Sequence, residues 1–299
     1  MPLIAFDRAW QQYRRAEVRL PLKPPPVTPE RVGGVLEVLD RIDLVILDAW
    51  GVLNLGEEPI PRARERVAML RRMGVPILVL SNDGSGDKAA AVARHRRRGY
   101  DFTAAEIHMG LDLMPEALRG LSLRGPLGVI SAGPPPALRL SHPLSPLGED
   151  AAAYDRMAGF LFLESGEWSE ARQDMLRASF GRRPRPLLVG NPDIASPGGG
   201  MLAAEPGYYA HRLADELGLA PVFCGKPFGA IYEQALAQFP RLRRERVLCV
   251  GDTLHTDILG ARAAGCRAML VEDGFCAGRD ALALAADCGI WPDFVAPGI

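Results

Sequence analysis

The chain has 299 residues, 48% of them hydrophobic and 24% charged, which is the balance of a soluble globular protein. Its 35 lysines and arginines against 36 aspartates and glutamates leave a net charge of −1. A nucleic-acid binder usually carries a basic surplus, so we expect no nucleic-acid partner. No apolar run approaches the roughly 20 residues that span a bilayer, and no signal-peptide apolar region opens the chain. We therefore expect a cytoplasmic protein with no membrane partner.

The cysteines agree with that expectation. There are five, an odd number, and no two form a C-x-x-C pair. Most lie in apolar surroundings, where a free thiol behaves as a small hydrophobic side chain. We expect reduced thiols, in the core or near the surface, and no zinc site.

The first 40 residues are predicted to form an extension that packs on the rest of the chain. A charged segment is followed by the proline-rich stretch PLKPPPVTPE at 21–30. No chemistry can be inferred from this extension, and a packing helix is its expected content.

Seven short apolar runs then recur along the chain. Each is nearly continuously apolar rather than alternating, which is typical of strands buried on both faces of a parallel sheet. The runs are DLVILDAW (43–50), PILVLSN (76–82), GVIS (128–131), FLFLES (160–165), PLLVGN (186–191), VLCVGD (247–252) and AMLVED (268–273).

Helical stretches separate these strands. The segments 61–74 and 87–99 each end at a glycine, Gly74 and Gly99, which we expect at the helix C-terminus. Further helices are predicted at 229–240 and 256–265. Alternating strands and helices indicate right-handed βαβ units and a doubly wound α/β fold. The proline-rich stretch 131–150 and SPGGG at 196–200 are predicted to be loops, the second of them flexible.

Polar side chains follow several of the predicted strands. In doubly wound folds, ligands bind at the carboxyl ends of the strands, so these side chains are expected to meet. Only three basic residues are lysines, so a lysine in a tight motif is conspicuous. Magnesium prefers oxygen ligands, usually carboxylates, substrate phosphate and water. The residues that could build such a site for an anion and a divalent cation are Asp48, Ser81, Asn82, Lys226, Asp252 and Asp257.

From about residue 43 onwards, the sequence resembles the haloacid dehalogenase (HAD) superfamily, in its class IIA, NagD-like branch. The four motifs of that family appear in order as DAWGVL, LSND, GKP and GDTLHTD, and N-P-D appears at 191–193. The resemblance implies a HAD-like (Rossmannoid) core of doubly wound parallel sheet with an inserted α/β cap. We expect the core at 41–84 and 206–299 and the cap at 85–205, with 1–40 packed on the core.

The resemblance also implies a Mg²⁺-dependent phosphatase and assigns its residues. Asp48 is the expected nucleophile, forming an aspartyl-phosphate, and Lys226 is expected to stabilise the transferring group. The expected metal ligands are Asp48, the main-chain carbonyl of Trp50, Asp252 and Asp257. The substrate is expected to be a small phosphorylated metabolite such as a sugar phosphate, and a homodimer is plausible by resemblance. The expected phosphate- and substrate-binding residues are Ser81, Asn82, Gly51, Asn191 and Asp193.

Trp50 departs from the family pattern. Family phosphatases place a second aspartate there as general acid and base, and such catalysis contributes about 10²–10⁴-fold. Indole cannot replace it. Three alternatives follow: a phosphatase that uses good leaving groups or borrows Asp83 or His255 as its acid, a different HAD hydrolase, or a catalytically impaired protein that binds a phosphorylated ligand.

The predicted cap contains polar and aromatic side chains that could contact a ligand. A cap excludes water from the reaction and selects the substrate. The candidates in and beside it are Glu164, Trp168, Tyr208 and Tyr209. For the aromatic ones, packing in the protein interior is the competing interpretation.

Overall fold

The computed structural model describes residues 2–133, 140, 142–198 and 201–299. Its strands are β1 (Leu3–Ile4), β2 (Glu30–Arg31), β3 (Leu44–Leu47), β4 (Asn54–Leu55), β5 (Glu58–Pro59), β6 (Ile77–Ser81), β7 (Ile107–Met109), β8 (Leu127–Ile130), β9 (Leu144–Pro146), β10 (Gly159–Phe162), β11 (Leu187–Val189), β12 (Ala195–Gly198), β13 (Met201–Ala204), β14 (Val222–Phe223), β15 (Val247–Gly251), β16 (Arg267–Val271) and β17 (Phe294–Ala296). Its helices are α1 (Phe6–Ala16), α2 (Pro61–Arg72), α3 (Lys88–Arg97), α4 (Met114–Arg119), α5 (Ala151–Arg156), α6 (Glu170–Arg182), α7 (Pro206–Leu217), α8 (Gly229–Leu236), α9 (Leu259–Ala263) and α10 (Ala281–Cys288).

Seven parallel strands form the first sheet, in the order β2-β17-β16-β15-β3-β6-β7. Successive residues of β3 enter different cores: Leu44 and Ile46 belong to one hydrophobic cluster, and Val45 and Leu47 to another. Because alternate side chains of a strand point to opposite faces, the sheet is buried on both faces. The predicted doubly wound α/β architecture is confirmed.

Five parallel strands form the second sheet, in the order β14-β11-β10-β8-β9. The predicted cap boundaries at 85 and 205 do not coincide with the limits of this sheet. β7 lies inside 85–205 but pairs with β6 in the first sheet, and β14 lies beyond 205 but pairs with β11 in the second. Both strands are too short for a period to be read from their sequence.

All seven predicted strands are present, and the predicted helices overlap observed ones. Gly74 and Gly99 follow α2 and α3 with φ angles of 71° and 83°, the left-handed conformation expected after a helix end. The helix predicted at 229–240 ends earlier, as α8. The one predicted at 256–265 is a π-helical turn, Leu254–Ile258, followed by α9.

A third, antiparallel sheet has the order β1-β13-β12. The prediction of a flexible loop at 196–200 is wrong for 196–198, which belong to β12, because pairing with β13 orders that stretch. Residues 199–200, like 134–139 and 141 of the predicted proline-rich loop, lie outside the described residues.

The N-terminal segment packs through α1. Ala9, Tyr13 and Ala16 are buried in the hydrophobic cluster that contains α7 and β13. The ring of Tyr13 also stacks on His255, with ring centroids 4.8 Å apart. The extension therefore reaches the loop that follows β15.

All five cysteines are free and buried, as predicted for thiols of the core. In the described part of the chain, no helix combines the length and apolar character needed to cross a membrane.

Candidate active site

Asp48 directly follows β3, which lies between β15 and β6 in the first sheet. Its N–H donates to the carbonyl of Val250 at 2.9 Å, so strand pairing continues up to the residue that carries the carboxylate. The following turn is tight. Gly51 has a φ of 81°, and a Cβ there would lie 1.8 Å from Asp252 Oδ2. Only glycine fits at position 51, because any side chain there would displace the carboxylate of Asp252.

Lys226 joins the carboxylates. Its Nζ donates to Asp48 Oδ1 at 2.5 Å and to Asp257 Oδ1 at 2.6 Å, and the side chain is buried. Burial lowers the pKa of Lys226, but the charges of Asp257 and Asp48 raise it by more, so the net shift is upward. The ammonium therefore stays protonated beside Asp48.

Asp48, Asp252 and Asp257 each place one carboxylate oxygen within 4.8 Å of the others. Two neighbours orient the last two carboxylates. Thr253 donates from Oγ1 to Asp252 Oδ1 at 2.8 Å and from its N–H to Asp257 Oδ2 at 3.1 Å. The N–H of Phe275 donates to Asp252 Oδ2 at 2.8 Å. The three predicted metal-ligating carboxylates are thus assembled in one place.

The charges of this cluster suit a divalent cation. Three carboxylates face one ammonium, and burial followed by the charge of Asp257 raises the pKa of Asp252 to about 7. Buried negative charge of this kind requires a further positive partner. Since all three donors are oxygens, a hard cation such as Mg²⁺ fits the set.

Ser81 ends β6 and Asn82 follows it, and both line the same cavity as Asp48. Ser81 Oγ accepts from the N–H of Asp83 at 3.1 Å, and in the described part of the chain its hydroxyl hydrogen has no acceptor, so it can donate to a ligand. The Asn82 amide donates to Asp193 Oδ1 and to the Lys226 carbonyl, both at 3.0 Å, and accepts from the Lys226 N–H at 2.8 Å. The side chain of Asn82 therefore fixes the Lys226 loop and has no donor left for a phosphoryl group.

Three of the residues predicted to bind phosphate make other contacts. The N–H of Gly51 donates to the Asn54 carbonyl at 2.8 Å and is not free. Asn191 accepts the N–H of Asp193 at 3.0 Å and donates to Glu205 at 3.1 Å. Asp193 is a carboxyl whose pKa burial raises to about 6, and its negative form repels phosphate. These residues build the frame of the site.

A cavity of about 260 Å³ opens next to Asp48, between the strand ends of the first sheet and the loops that follow the second. Both parts of the chain contribute polar side chains to its wall. These side chains include Asp48, Ser81, Asp83, Glu164, Ser196 and Glu205.

Trp50 also lines this cavity, but its polar atom points elsewhere. Its Nε1 donates to the carbonyl of Pro197 in β12 at 2.7 Å. The indole thus ties the turn after Asp48 to the third sheet. It offers no titratable group where relatives are expected to have a carboxylate.

Neither residue predicted as a replacement acid fits that role. His255 is buried, does not line the cavity, and places Nε2 3.1 Å from Glu17 Oε1 because α1 packs over it. Asp83 lines the cavity, but its Oδ2 accepts from the Arg94 guanidinium at 2.6 Å. Its carboxylate is thus committed to the ion pair with Arg94.

Of the four predicted ligand contacts, Glu164 alone lines the cavity. Trp168, Tyr208 and Tyr209 are buried in the hydrophobic cluster around α7, so the packing interpretation of these aromatic residues is correct. The indole of Trp168 donates to Gln173 at 2.9 Å, inside that cluster.

Two cavity residues, Ser196 and Glu205, were absent from the sequence-based prediction. The signal that could have found Glu205 is a single carboxylate in the apolar stretch MLAAEPGYYA at 201–210. A charged residue is rarely buried without a partner or a function. Ser196 stands in the segment predicted to be a flexible loop, and no local pattern distinguishes it.

Two family models match this chain. The model described as haloacid dehalogenase-like hydrolase matches residues 45–131, and the model described as HAD-hydrolase-like matches residues 223–299. They contain Asp48 and the Lys226–Asp257 region respectively.

Curated relatives match over most of their length. A 4-nitrophenylphosphatase of Schizosaccharomyces pombe is 23% identical over 285 residues, which cover 86% of this chain and 92% of that protein. Human chronophin is 28% identical over 269 residues, covering 82% of this chain and 86% of that protein.

Solved structures share the fold. A possible sugar phosphatase of the HAD superfamily from Cytophaga hutchinsonii has a TM-score of 0.78 at 21% identity, covering 91% of this chain and 98% of that one. NagD from Escherichia coli K-12 has a TM-score of 0.63 at 21% identity, covering 86% and 96%. At these sequence identities, the structural similarity shows a shared fold and nothing further.

Proposed function

Because the chain belongs to the haloacid dehalogenase-like hydrolases, in their NagD-like class IIA branch, we propose that it is a phosphatase that hydrolyses a small phosphomonoester. The observation that carries the proposal is the contact of 2.5 Å between Asp48 Oδ1 and Lys226 Nζ at the end of β3. A carboxylate beside a permanently charged ammonium is suited to attack an anionic phosphoryl group. Similarity to a 4-nitrophenylphosphatase and to a possible sugar phosphatase supports the same reaction.

In this proposal the reaction has two steps at Asp48. A carboxylate oxygen attacks phosphorus, and the bond from phosphorus to the leaving oxygen breaks, which gives an aspartyl-phosphate. Water then attacks the same phosphorus, so that inorganic phosphate leaves and the carboxylate returns. Lys226 balances part of the negative charge on the equatorial oxygens throughout.

Ser81 and the backbone of Asn82 are proposed to hold the phosphoryl oxygens. The Ser81 oxygen accepts from Asp83, and its hydroxyl hydrogen has no acceptor among the described residues. The Asn82 side chain is occupied, so Asn82 contributes through its N–H alone. These donors lie at the carboxyl end of β6, beside β3.

The metal proposed for the cluster is Mg²⁺. Asp48, Asp252, Asp257 and the main-chain carbonyl of Trp50 are the groups that would hold it. When bound, such an ion supplies positive charge that neutralises the phosphoryl oxygens. The buried excess of carboxylate over ammonium supports this assignment.

The size and walls of the cavity support a small substrate. About 260 Å³ lies below the roughly 300–1,000 Å³ of sites that bury drug-sized ligands. The second sheet and its loops, within the predicted cap, contribute Glu164 to the wall. We assign to this part of the chain the exclusion of water and the choice of the substrate's organic group. A sugar phosphate or a molecule of similar size is the proposed substrate.

The proposal is tested by measuring Mg²⁺-dependent phosphate release from sugar phosphates, nucleotides and an activated aryl phosphate. Asp48→Asn serves as the blank for contaminating phosphatases. Release by the wild type that is absent from the blank is the expected result. Equal release by both proteins, or none from any ester, would contradict the proposal.

A further inference from the structure

We propose that Glu205 and Ser196 together supply the proton that the missing carboxylate at position 50 cannot supply. The inference rests on the proposed phosphatase function and names the group that protonates the leaving oxygen. Glu205 is the proton source, and Ser196 passes the proton to the substrate.

Glu205 and Ser196 line the same cavity as Asp48. Glu205 follows β13 and precedes α7, and its backbone N–H donates to the Ile194 carbonyl at 3.0 Å. Its side chain makes no capping hydrogen bond to α7, so helix capping does not explain a buried carboxyl at this position. A buried ionisable group that lines a cleft is a candidate for chemistry.

The contacts of Glu205 place its proton on one oxygen. The N–H of Asp193 donates to Asn191 Oδ1 at 3.0 Å, which fixes the orientation of that amide. Asn191 Nδ2 must then donate to Glu205 Oε2, at 3.1 Å, and makes that oxygen an acceptor. Ser196 Oγ donates to Glu205 Oε1 at 2.5 Å, the contact that stabilises the ionised carboxylate. In the neutral carboxyl we assign the acidic hydrogen to Oε1, which then donates to Ser196 Oγ and turns the Ser196 hydroxyl hydrogen toward the substrate.

The surroundings keep Glu205 protonated. Burial raises its pKa to about 8, the Ser196 hydrogen bond opposes that shift, and the charges of Asp193, Asp83 and Glu164 add to it. These carboxyls follow β11, β6 and β10, the strands whose ends face the cavity. The guanidinium of Arg94, which also lines the cavity, donates to Asp83 at 2.6 Å. A neutral carboxylic acid at neutral pH is what a general acid requires.

Each proton in the proposed transfer between Glu205, Ser196 and the leaving oxygen is accounted for. As the bond from phosphorus to the leaving oxygen breaks, the Ser196 hydroxyl hydrogen moves to that oxygen, and the Glu205 Oε1 hydrogen moves to Ser196 Oγ. The alcohol leaves, and a Glu205 carboxylate remains, held by Asn191. In the second step the attacking water gives one proton to Ser196 Oγ, which returns a proton to Glu205.

Asp193, another carboxyl that lines the cavity, is already committed. Asp193 accepts from Asn82 Nδ2 at 3.0 Å and is also hydrogen-bonded to Thr256. It fixes the loop that carries Lys226, through Asn82. Its removal is expected to disturb that loop, whereas Glu205 contacts none of the metal-ligating residues.

The test compares two esters in the full-length enzyme. Glu205→Gln keeps the shape and the Asn191 contact and removes the acid. We expect kcat/KM for an alkyl phosphate, which reports the first step, to fall by about 10²-fold or more, because the alkoxide needs a proton. We expect kcat/KM for an activated aryl phosphate to change little, because its leaving oxygen needs no proton. The fall of wild-type kcat/KM for the alkyl ester above pH 8 should be absent from the variant. Ser196→Ala should show the same selectivity.

A rescue variant and a control variant distinguish a proton-donating role of Glu205 from a purely structural role. Adding Trp50→Asp to Glu205→Gln restores a carboxyl at the position where relatives are expected to have one, so alkyl-phosphate turnover should recover. The fold-increase that Trp50→Asp causes in the Glu205→Gln protein should be much larger than the fold-increase it causes in the wild type. Glu216→Gln, the same exchange at an exposed position of α7, is the control for helix effects.

Equal losses on both esters with an unchanged pH profile would overturn the proposal and leave Glu205 a structural residue. If Glu205→Gln does not fold, the selectivity of Ser196→Ala decides instead. A wild type inactive on every ester would overturn the phosphatase proposal itself, which is a different result.

Discussion

Lys226 is the residue on which the charge balance of the site depends. It donates to both Asp48 and Asp257, and all three side chains are largely withdrawn from solvent. Without it, the cluster keeps three carboxylates and no cation in the absence of metal. Removing one partner of a buried ion pair leaves an uncompensated charge, which is far more costly than losing an exposed pair.

Lys226→Met is therefore expected to lower the free energy of unfolding by about 3–5 kcal/mol in chelator. Denaturant titration measures it. Lys88→Met is the matched control, because Lys88 pairs with Asp112 where both side chains are partly exposed, and a loss of about 0–1 kcal/mol is expected. Equal losses in the two variants would refute the charge argument.

A second prediction at the scale of single residues concerns Glu205 and the dependence of the free energy of unfolding on pH. Its pKa is raised from the ordinary 4.5 to about 8 by burial, so the folded state holds a proton that the unfolded state has released. The stability that this proton contributes is complete below pH 4.5 and is lost as the pH rises through 8. Wild type should lose stability relative to Glu205→Gln over that window, by up to about 1.4 kcal/mol per pH unit. A constant difference between pH 5 and 8, in denaturant titrations, would contradict a buried neutral acid.

Strand ends made much of the site predictable from sequence. Asp48, Ser81, Lys226, Asp252 and Asp257 stand in recognisable motifs, and a parallel sheet brings its carboxyl ends together. The environment of His255 was not predictable, because it depends on Glu17, 238 residues away in the chain. Glu205 likewise acquires its partners only when the third sheet forms.

At the scale of secondary-structure elements, the length of a strand decides whether it can be predicted from the sequence. The seven predicted strands are apolar runs long enough to read, and all are present. β7 and β14 have three and two residues, so no period can be detected in them, and their pairing with β6 and β11 assigns them to a sheet. This is why the predicted limits of the cap miss the limits of the second sheet.

The third sheet positions the wall of the cavity that holds Ser196. β12 carries Ser196 and the carbonyl that accepts from Trp50, and β1 extends the sheet at its far edge through β13. Ile4 of β1 is 7% exposed, whereas its neighbour Leu3 is 57% exposed. β1 therefore stabilises this wall through one of its two side chains.

Ile4→Ala is expected to lower the free energy of unfolding by about 2–5 kcal/mol, the usual cost of a large-to-small change in a core. Leu3→Ala, on the opposite side of the same strand, should stay within about 0.5 kcal/mol of wild type. Thermal or denaturant unfolding of both variants measures the difference. Similar effects of the two changes would show that β1 does not stabilise the sheet.

At the scale of the whole molecule, the carboxylate cluster couples metal binding to folding. Asp48 and Asp252 lie in segments more than 200 residues apart in sequence order, and their oxygens meet only in the folded chain. A cation that binds them binds the folded state and not the unfolded one.

Mg²⁺ should therefore raise the melting temperature. Above the dissociation constant, each tenfold increase in its concentration adds about 1.4 kcal/mol of stability. Asp252→Asn should lose most of this dependence, because it removes one carboxylate from the cluster. Differential scanning calorimetry in chelator and across a Mg²⁺ series measures both proteins. The same dependence in wild type and variant would place the ion elsewhere.

The central claim is that Asp48 accepts the phosphoryl group of the substrate. The most direct measurement mixes the enzyme with a phosphomonoester labelled in its phosphate, stops the reaction with acid within one turnover, and locates the label by peptide mapping. We predict label on the peptide that contains Asp48, lost on mild alkaline treatment and absent from Asp48→Asn. Turnover without any label on that peptide, or label that persists in Asp48→Asn, would contradict the account.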